Sequence, residues 1–241
     1  MGGLLRRALA QSTLPPCLVV GLLLGASFCL AAPAHAQFSG ALGIQSDYRF
    51  RGISLTSRQP VATLDLAYDH PSGFYAGGSA IVMNEDGPRA LGFIEYAGFA
   101  TPRIGRVSLD FGVDNQNLSE YADKRYPLNY SEVYAGIAGS HLSAHVYYSP
   151  NYFRRGVQTL YADVEASMKP ADNWRLFGHL GTTAPIGRIA GRHQRYDLRV
   201  GVARQFGPLE LQGAVTGASP APPAPAPPER AAVVVGASWY F

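Results

Sequence analysis

Beyond its first 36 residues the chain contains no cysteine, because both of its cysteines, Cys17 and Cys29, fall within that stretch. A disulfide framework and a thiolate metal site are thereby excluded from the remainder. No segment after residue 36 approaches the run of about 18 apolar residues that marks a membrane-spanning helix. An excess of one charge sign is missing as well: of 20 Lys+Arg, Arg6 and Arg7 lie in the first stretch, which leaves 18 against 17 Asp+Glu. Without a clustered basic field, nucleic acid is not an expected partner. None of the histidines sits at metal-ligand spacing, so neither a metal nor a cofactor is expected.

The first 36 residues have their own logic. Arg6 and Arg7 precede an uncharged apolar run from about Cys17 to Ala32, and Ala34-His35-Ala36 follows. This is the charged, apolar and small-residue order of a cleaved secretory signal peptide. A membrane anchor is disfavoured by Pro15-Pro16 and by the shortness of the run. A lipoprotein is disfavoured by Phe28, which stands where a lipid-attachment box needs a small residue. The chain therefore divides into a signal peptide, 1–36, and one domain, 37–241.

Glycine and tyrosine are plentiful, 27 and 14 residues, and the domain alternates apolar with polar or small residues. Twelve segments show this period of two, each bounded by turn chemistry. They begin with Phe38 to about Ser54 and Pro60 to Asp69, and they end with Leu209–Thr216 and Ala231 to Phe241. Connections after the even-numbered segments are short, such as His70-Pro71-Ser72-Gly73 and Phe206-Gly207-Pro208; those after the odd ones are longer and more polar. An even number of strands with short turns at one end and long loops at the other predicts an all-β fold, a transmembrane antiparallel up-and-down β-barrel of 12 strands. The Pro/Ala tract from Ser219 to Pro228 reads as a stiff polyproline-II excursion within the last long loop.

Alternation also sorts the faces. Leu209, Leu211 and Val215 oppose Glu210, Gln212 and Thr216, and Leu109, Phe111 and Val113 oppose Asp110, Gly112 and Asp114. The apolar set is expected to meet lipid. To the lumen fall Asp47, Arg49, Arg51, Asp65, Glu95, Asp110, Asp114, Glu132, His145, Asp163, Glu165, Arg175, His179, Asp197, Arg199 and Glu210, an acidic lining on balance. Aromatic residues near segment ends, Tyr68, Phe74, Tyr147, Tyr148, Tyr152, Trp174, Trp239, Tyr240 and Phe241, suit two interfacial girdles. Loop arginines and lysines, including Arg58, Arg89, Lys124, Arg125, Arg154, Arg155, Arg188, Arg192 and Arg230, form a basic rim suited to lipopolysaccharide phosphates. Trp239, Tyr240 and Phe241 close the last strand in the manner of a signal to the barrel-assembly machinery.

At Ser46-Asp-Tyr-Arg-Phe-Arg-Gly-Ile-Ser54 the chain resembles the TorF-like family of bacterial outer-membrane proteins of porin type. Ser72-Gly-Phe-Tyr-Ala-Gly77, Tyr134-Ala-Gly136, Val146-Tyr-Tyr-Ser-Pro150 and the aromatic last strand extend the likeness over the whole domain. The resemblance implies an outer-membrane barrel with no enzymatic site. On one face of the first strand, Asp47, Arg49 and Arg51 would form a charge ladder, with Gly52 as a kink. The expected function is a narrow channel for passive diffusion of small polar or ionic solutes, weakly cation-preferring, with membrane lipids, lipopolysaccharide and small solutes as partners. A lipid esterase using Ser143 and His145, with Asp163 or Glu165 orienting the imidazole, is the enzymatic alternative; it is disfavoured because that face points to the lumen. A plugged structural barrel is the third reading.

Overall fold

The computed structural model describes residues 37–84, 88–118, 128–153, 155–187, 194–219 and 231–241. The expected signal peptide, most of the Pro/Ala tract and most of the expected basic rim lie outside the described residues. Among the described residues fourteen strands follow one another: β1 (Gln37–Gln45), β2 (Arg49–Phe50), β3 (Ile53–Ser54), β4 (Val61–Asp69), β5 (Phe74–Asn84), β6 (Pro88–Ala100), β7 (Val107–Leu118), β8 (Leu128–Gly139), β9 (Leu142–Ser149), β10 (Thr159–Ala171), β11 (Trp174–Pro185), β12 (Arg195–Phe206), β13 (Leu209–Ala218) and β14 (Ala232–Tyr240). Twelve of them, β1 and β4 to β14, form a closed antiparallel barrel in sequential order. The remaining two, β2 and β3, pair only with each other. The expected fold is thus observed, with one element the alternation did not separate.

Closure is the reason the backbone tolerates this arrangement, since every strand has two neighbours and no edge is left for aggregation or unsatisfied polar groups. The seam is the shorter contact. β1 pairs with β4 over nine positions but with β14 over five, from Ala41↔Tyr240 to Gln45↔Gly236. Phe241 extends it: Gly40 N–H donates to the Phe241 carbonyl at 3.0 Å and Phe241 N–H donates to the Gly40 carbonyl at 3.0 Å. The ring of Phe241 occupies the space where a Cβ on Gly40 would lie, 2.6 Å away. A side chain at position 40 therefore requires the Phe241 ring to move aside.

The outer wall is apolar. Leu42, Leu66, Phe93, Val113, Val146, Leu180, Val200 and Val235 are all exposed, a belt that a bilayer would cover. Among the described residues no helix is long and apolar enough to cross a membrane. The aromatic ring is fuller at one end than expected. Phe38, Tyr68, Phe74, Phe99, Phe111, Trp174, Phe206, Trp239 and Phe241 all stand near the end with the short turns, Phe38 against Tyr68 at 4.8 Å and Phe99 against Phe111 at 5.7 Å. At the loop end Tyr148 and Tyr196 face outward, whereas Tyr147 and Tyr152 are buried inside the barrel, which corrects their placement in a girdle.

Glu95 also requires correction, because it is exposed on the outer wall, next to outward-facing Phe93, while Ile94 and Tyr96 point inward. Its strand carries apolar residues on both faces, so alternation alone left the phase open. It shares a cross-strand row with Asn115, which accepts a 3.0 Å hydrogen bond from Ser131. A carboxylate on the lipid face carries a penalty smaller than the roughly 2–4 kcal/mol of a midplane Arg or Lys.

If closure depends on these contacts, the folded protein in detergent should migrate differently before and after boiling on a denaturing gel. Deleting Phe241 removes two seam hydrogen bonds, worth about 0.5–1.5 kcal/mol each, and should lower the folded fraction in refolding assays. An unchanged folded fraction would show that the five remaining pairs suffice.

Candidate functional site: the barrel interior and its inserted hairpin

β1 ends at Gln45, and Ser46 still holds the last strand through Ser46 N–H to the Val235 carbonyl at 2.9 Å. The chain then turns inward instead of continuing upward. Asp47 organises the turn: its carboxylate accepts from Arg49 Nε at 2.7 Å, Ser54 Oγ at 2.5 Å and Thr56 Oγ1 at 2.9 Å. Thr56 Oγ1 accepts in addition from the Tyr48 N–H at 3.0 Å. The tip is Arg51-Gly52, both left-handed at φ 47° and 74°, the backbone of a two-residue hairpin turn. At Gly52 a Cβ would lie 2.4 Å from the Gly217 carbonyl, so glycine is required by close approach as well as by φ.

The sequence expectation of a straight first strand through Ser54, carrying an Asp47–Arg49–Arg51 ladder and a kink at Gly52, is therefore corrected. The same alternation belongs to a hairpin folded within the mouth. One side of it is apolar: Tyr48 and Leu55 pack with Val61, Ile81, Met83, Ile94 and Leu118, which point inward from β4 to β7. The other side is charged. Arg51 reaches across to Glu132 on β8 in an ion pair, and its guanidinium lies over the ring of Tyr161, 3.8 Å from the centroid.

Below the hairpin the interior is a polar network. His179 sits between two carboxylates, with Nδ1 3.1 Å from Glu165 Oε1 and Nε2 2.7 Å from Asp197 Oδ1. Tyr161 Oη donates to Asp197 at 3.1 Å. His145 Nε2 is 3.1 Å from Asp110 Oδ2, with Nδ1 3.8 Å from Asp163. Tyr75 donates to Asp110 at 2.6 Å and pairs its hydroxyl with that of Tyr134. Towards the turn end Arg175 binds Glu210 at 2.5 Å, Tyr240 donates to the same Glu210, and Arg199 lies over Phe177 with Nη2 3.4 Å from Gln212. Asp65 accepts from Thr63 at 3.2 Å and from Ser79, and Asp114 accepts from Gln116 at 3.3 Å.

The interior thus holds Asp47, Arg49, Arg51, Asp65, Asp110, Asp114, Glu132, His145, Asp163, Glu165, Arg175, His179, Asp197, Arg199 and Glu210, and lacks Glu95. Trp239 and Phe241 face outward and Tyr240 inward. Sequence reasoning missed Arg195, half-buried on the inward face of β12, and the layer of Tyr75, Tyr96, Tyr134, Tyr147 and Tyr161. The usable signal was phase, since Tyr161 shares a face with Asp163 and Glu165. Asp163, Glu165 and His179 bring potential ligand atoms within 4.8 Å of one another, a grouping that one-strand spacing hides because His179 comes from the next strand. Both its nitrogens are engaged by carboxylates, so the arrangement is an ion-pair network. Ser143 and His145 face the same interior, and the imidazole is held by Asp110, with Asp163 3.8 Å from its other nitrogen.

A cavity of about 120 Å³ lies between the hairpin and this network, bordered by Arg49, Arg51, Glu132, Tyr161, Glu165 and His179 among others. A site of this size and polarity holds several waters. Glu132 Oε1 and Glu165 Oε2 are buried without a hydrogen-bond partner among the described residues.

A family described as a bacterial protein of unknown function (Gcw_chp) matches residues 31–241. The chain belongs to this family. No curated protein matches it. Among solved structures, the NanC porin aligns with TM-score 0.56 at 9% identity, covering 84% of this chain and 99% of the porin. The KdgM porin aligns with TM-score 0.53 at 12% identity over 84% and 99%, and the KdgM porin in complex with disordered oligogalacturonate with 0.51 at 12% over 86% and 99%. At these identities the likeness establishes a shared barrel fold for this family member.

The hairpin depends on Asp47 more than on any other side chain. Asp47→Ala removes the carboxylate that accepts from Arg49, Ser54 and Thr56 and leaves Arg49 its bond to the Gly52 carbonyl at 2.9 Å; breaking such a buried pair costs about 3–5 kcal/mol. Trypsin should then cut the folded barrel after Arg49 or Arg58 roughly tenfold faster, while the boiled-versus-unboiled gel shift is kept. Unchanged cleavage would place the hold on the hairpin elsewhere.

Proposed function

We propose that the protein is a narrow channel of the bacterial outer membrane for passive diffusion of small polar solutes, with a preference for cations. The observation that carries this is the pairing of an apolar outer wall with an interior of nine buried carboxylates against Arg49, Arg51, Arg175, Arg195 and Arg199. The carboxylates still outnumber the basic side chains when His145 and His179 are counted with the arginines. The porin folds of the structural neighbours and the likeness of Ser46–Ser54 to TorF-like porins support the same reading. One neighbour, a KdgM porin, is described with oligogalacturonate, a polyanion; the acidic interior here suits solutes of the opposite sign.

Physically, carboxylates in a confined aqueous path concentrate cations and repel anions. Loop charges act from outside and are screened over about 8 Å at physiological salt, so the interior sets the sign. The inserted hairpin narrows the mouth, which favours small solutes and low conductance.

The purified barrel in a planar bilayer should show a reversal potential of cation-preferring sign in a salt gradient, fading as salt rises. Glu165→Gln should lower the preference without abolishing conductance. Anion preference would show that the arginines set the field, and absence of any conductance would leave a plugged structural barrel.

A further inference from the structure

The Arg51 guanidinium sits in a cage that the barrel wall builds around it. Besides Tyr161 at 3.8 Å, the rings of Tyr152 and Tyr147 stand 5.3 and 5.8 Å from the guanidinium carbon, and Phe50 at 4.9 Å. Glu132 closes the cage by its ion pair with Arg51. Only Phe50 travels with Arg51 on the hairpin. Glu132 is on β8, Tyr147 on β9, Tyr161 on β10, and Tyr152 in the connection between the last two, so the cage outlasts any movement of the hairpin. Arg51 meanwhile holds a left-handed φ of 47°, a conformation unfavourable for a residue with a Cβ. Strain of this kind persists where surrounding contacts over-determine it, and here the Asp47 turn and the cage do so together.

We infer that Glu132, Tyr147, Tyr152 and Tyr161 form a binding site for a small planar organic cation of the guanidinium class, which the chain's own Arg51 occupies in this conformation. Aromatic rings around the charge, with a carboxylate in ion-pair contact, suit a flat, weakly hydrated cation. A compact ammonium is more strongly hydrated and lacks the flat face. Arrival of such a solute from the loop end would displace Arg51, release the strained turn and unseat the hairpin tip. The inference deepens the channel reading, on which it rests for access to the site, but binding is measurable on a barrel that conducts nothing.

The test is calorimetric titration of methylguanidinium chloride into the detergent-folded barrel, with sodium chloride and methylammonium chloride as controls and the gel shift confirming each variant's fold. Arg51→Ala should bind methylguanidinium roughly tenfold more tightly than the unaltered protein, because the ligand no longer competes with a tethered group. Adding Glu132→Gln should remove that gain, and methylammonium should bind more weakly. Equal binding with and without Arg51, or a gain that survives Glu132→Gln, overturns the inference. If Arg51→Ala does not fold, Arg51→Met substitutes for it. The unaltered protein supplies an independent reading: methylguanidinium should accelerate chymotrypsin cleavage after Tyr48 or Phe50 beyond equal sodium chloride, and no acceleration counts against the site. Binding without conductance would sink the channel while leaving the site in place.

Discussion

Closing twelve strands into one barrel fixes both the volume inside and the side chains that must share it. Eight strands make an interior that side chains fill by themselves, whereas larger barrels leave room for water or for chain. Here the first long connection takes up that room. Its apolar side packs Tyr48 and Leu55 under β4 to β7, and its charged side sends Arg51 to β8 and β10. The two sides divide the interior into a dry sector and a polar one, and the rest of the lumen is arranged around that division.

Electrostatics follows from the same geometry. Carboxylates kept from lipid by alternation must find donors inside, and they do so across strands: Glu165 and Asp197 share His179, Asp110 shares His145 and Tyr75, and Glu210 shares Arg175 and Tyr240. Each pairing ties strands that are adjacent or have one strand between them, so the charges brace the wall that confines them. Pairing is nonetheless incomplete, and among the described residues Glu132 and Glu165 each keep one oxygen, and Arg51 one nitrogen, without a hydrogen-bond partner. That remainder faces the cavity beside Arg51, which is why the bracing network also serves as the electrostatic lining.

Alternation made most of this legible in the sequence. In β13 the phase of Leu209, Glu210, Leu211 and Gln212 is unambiguous, because apolar and polar residues fall cleanly on opposite faces. It failed where both faces are alike. Around Glu95 the neighbours are Phe93, Ile94, Tyr96 and Ala97, and Ile94 turns inward because the hairpin offers it an apolar surface, a tertiary fact with no local signal. It failed again at Asp47 to Ser54, since a hairpin inside the barrel and a strand of its wall share a period of two. Arg51-Gly52 was the available clue: a tip needing two left-handed residues is better marked by glycine than by any property of arginine. The tyrosine cage lay beyond local pattern, because its members meet only through the register of β8, β9 and β10.

Arg51 lies within the barrel against Tyr161 and Glu132. Nuclear magnetic resonance of the detergent-folded protein measures this directly, through proximity between Arg51 side-chain protons and the ring protons of Tyr161 and Tyr147. The account predicts cross-relaxation to both rings and Arg51 resonances shifted upfield by the aromatic face. Random-coil shifts for Arg51 with no contact to either ring would contradict it.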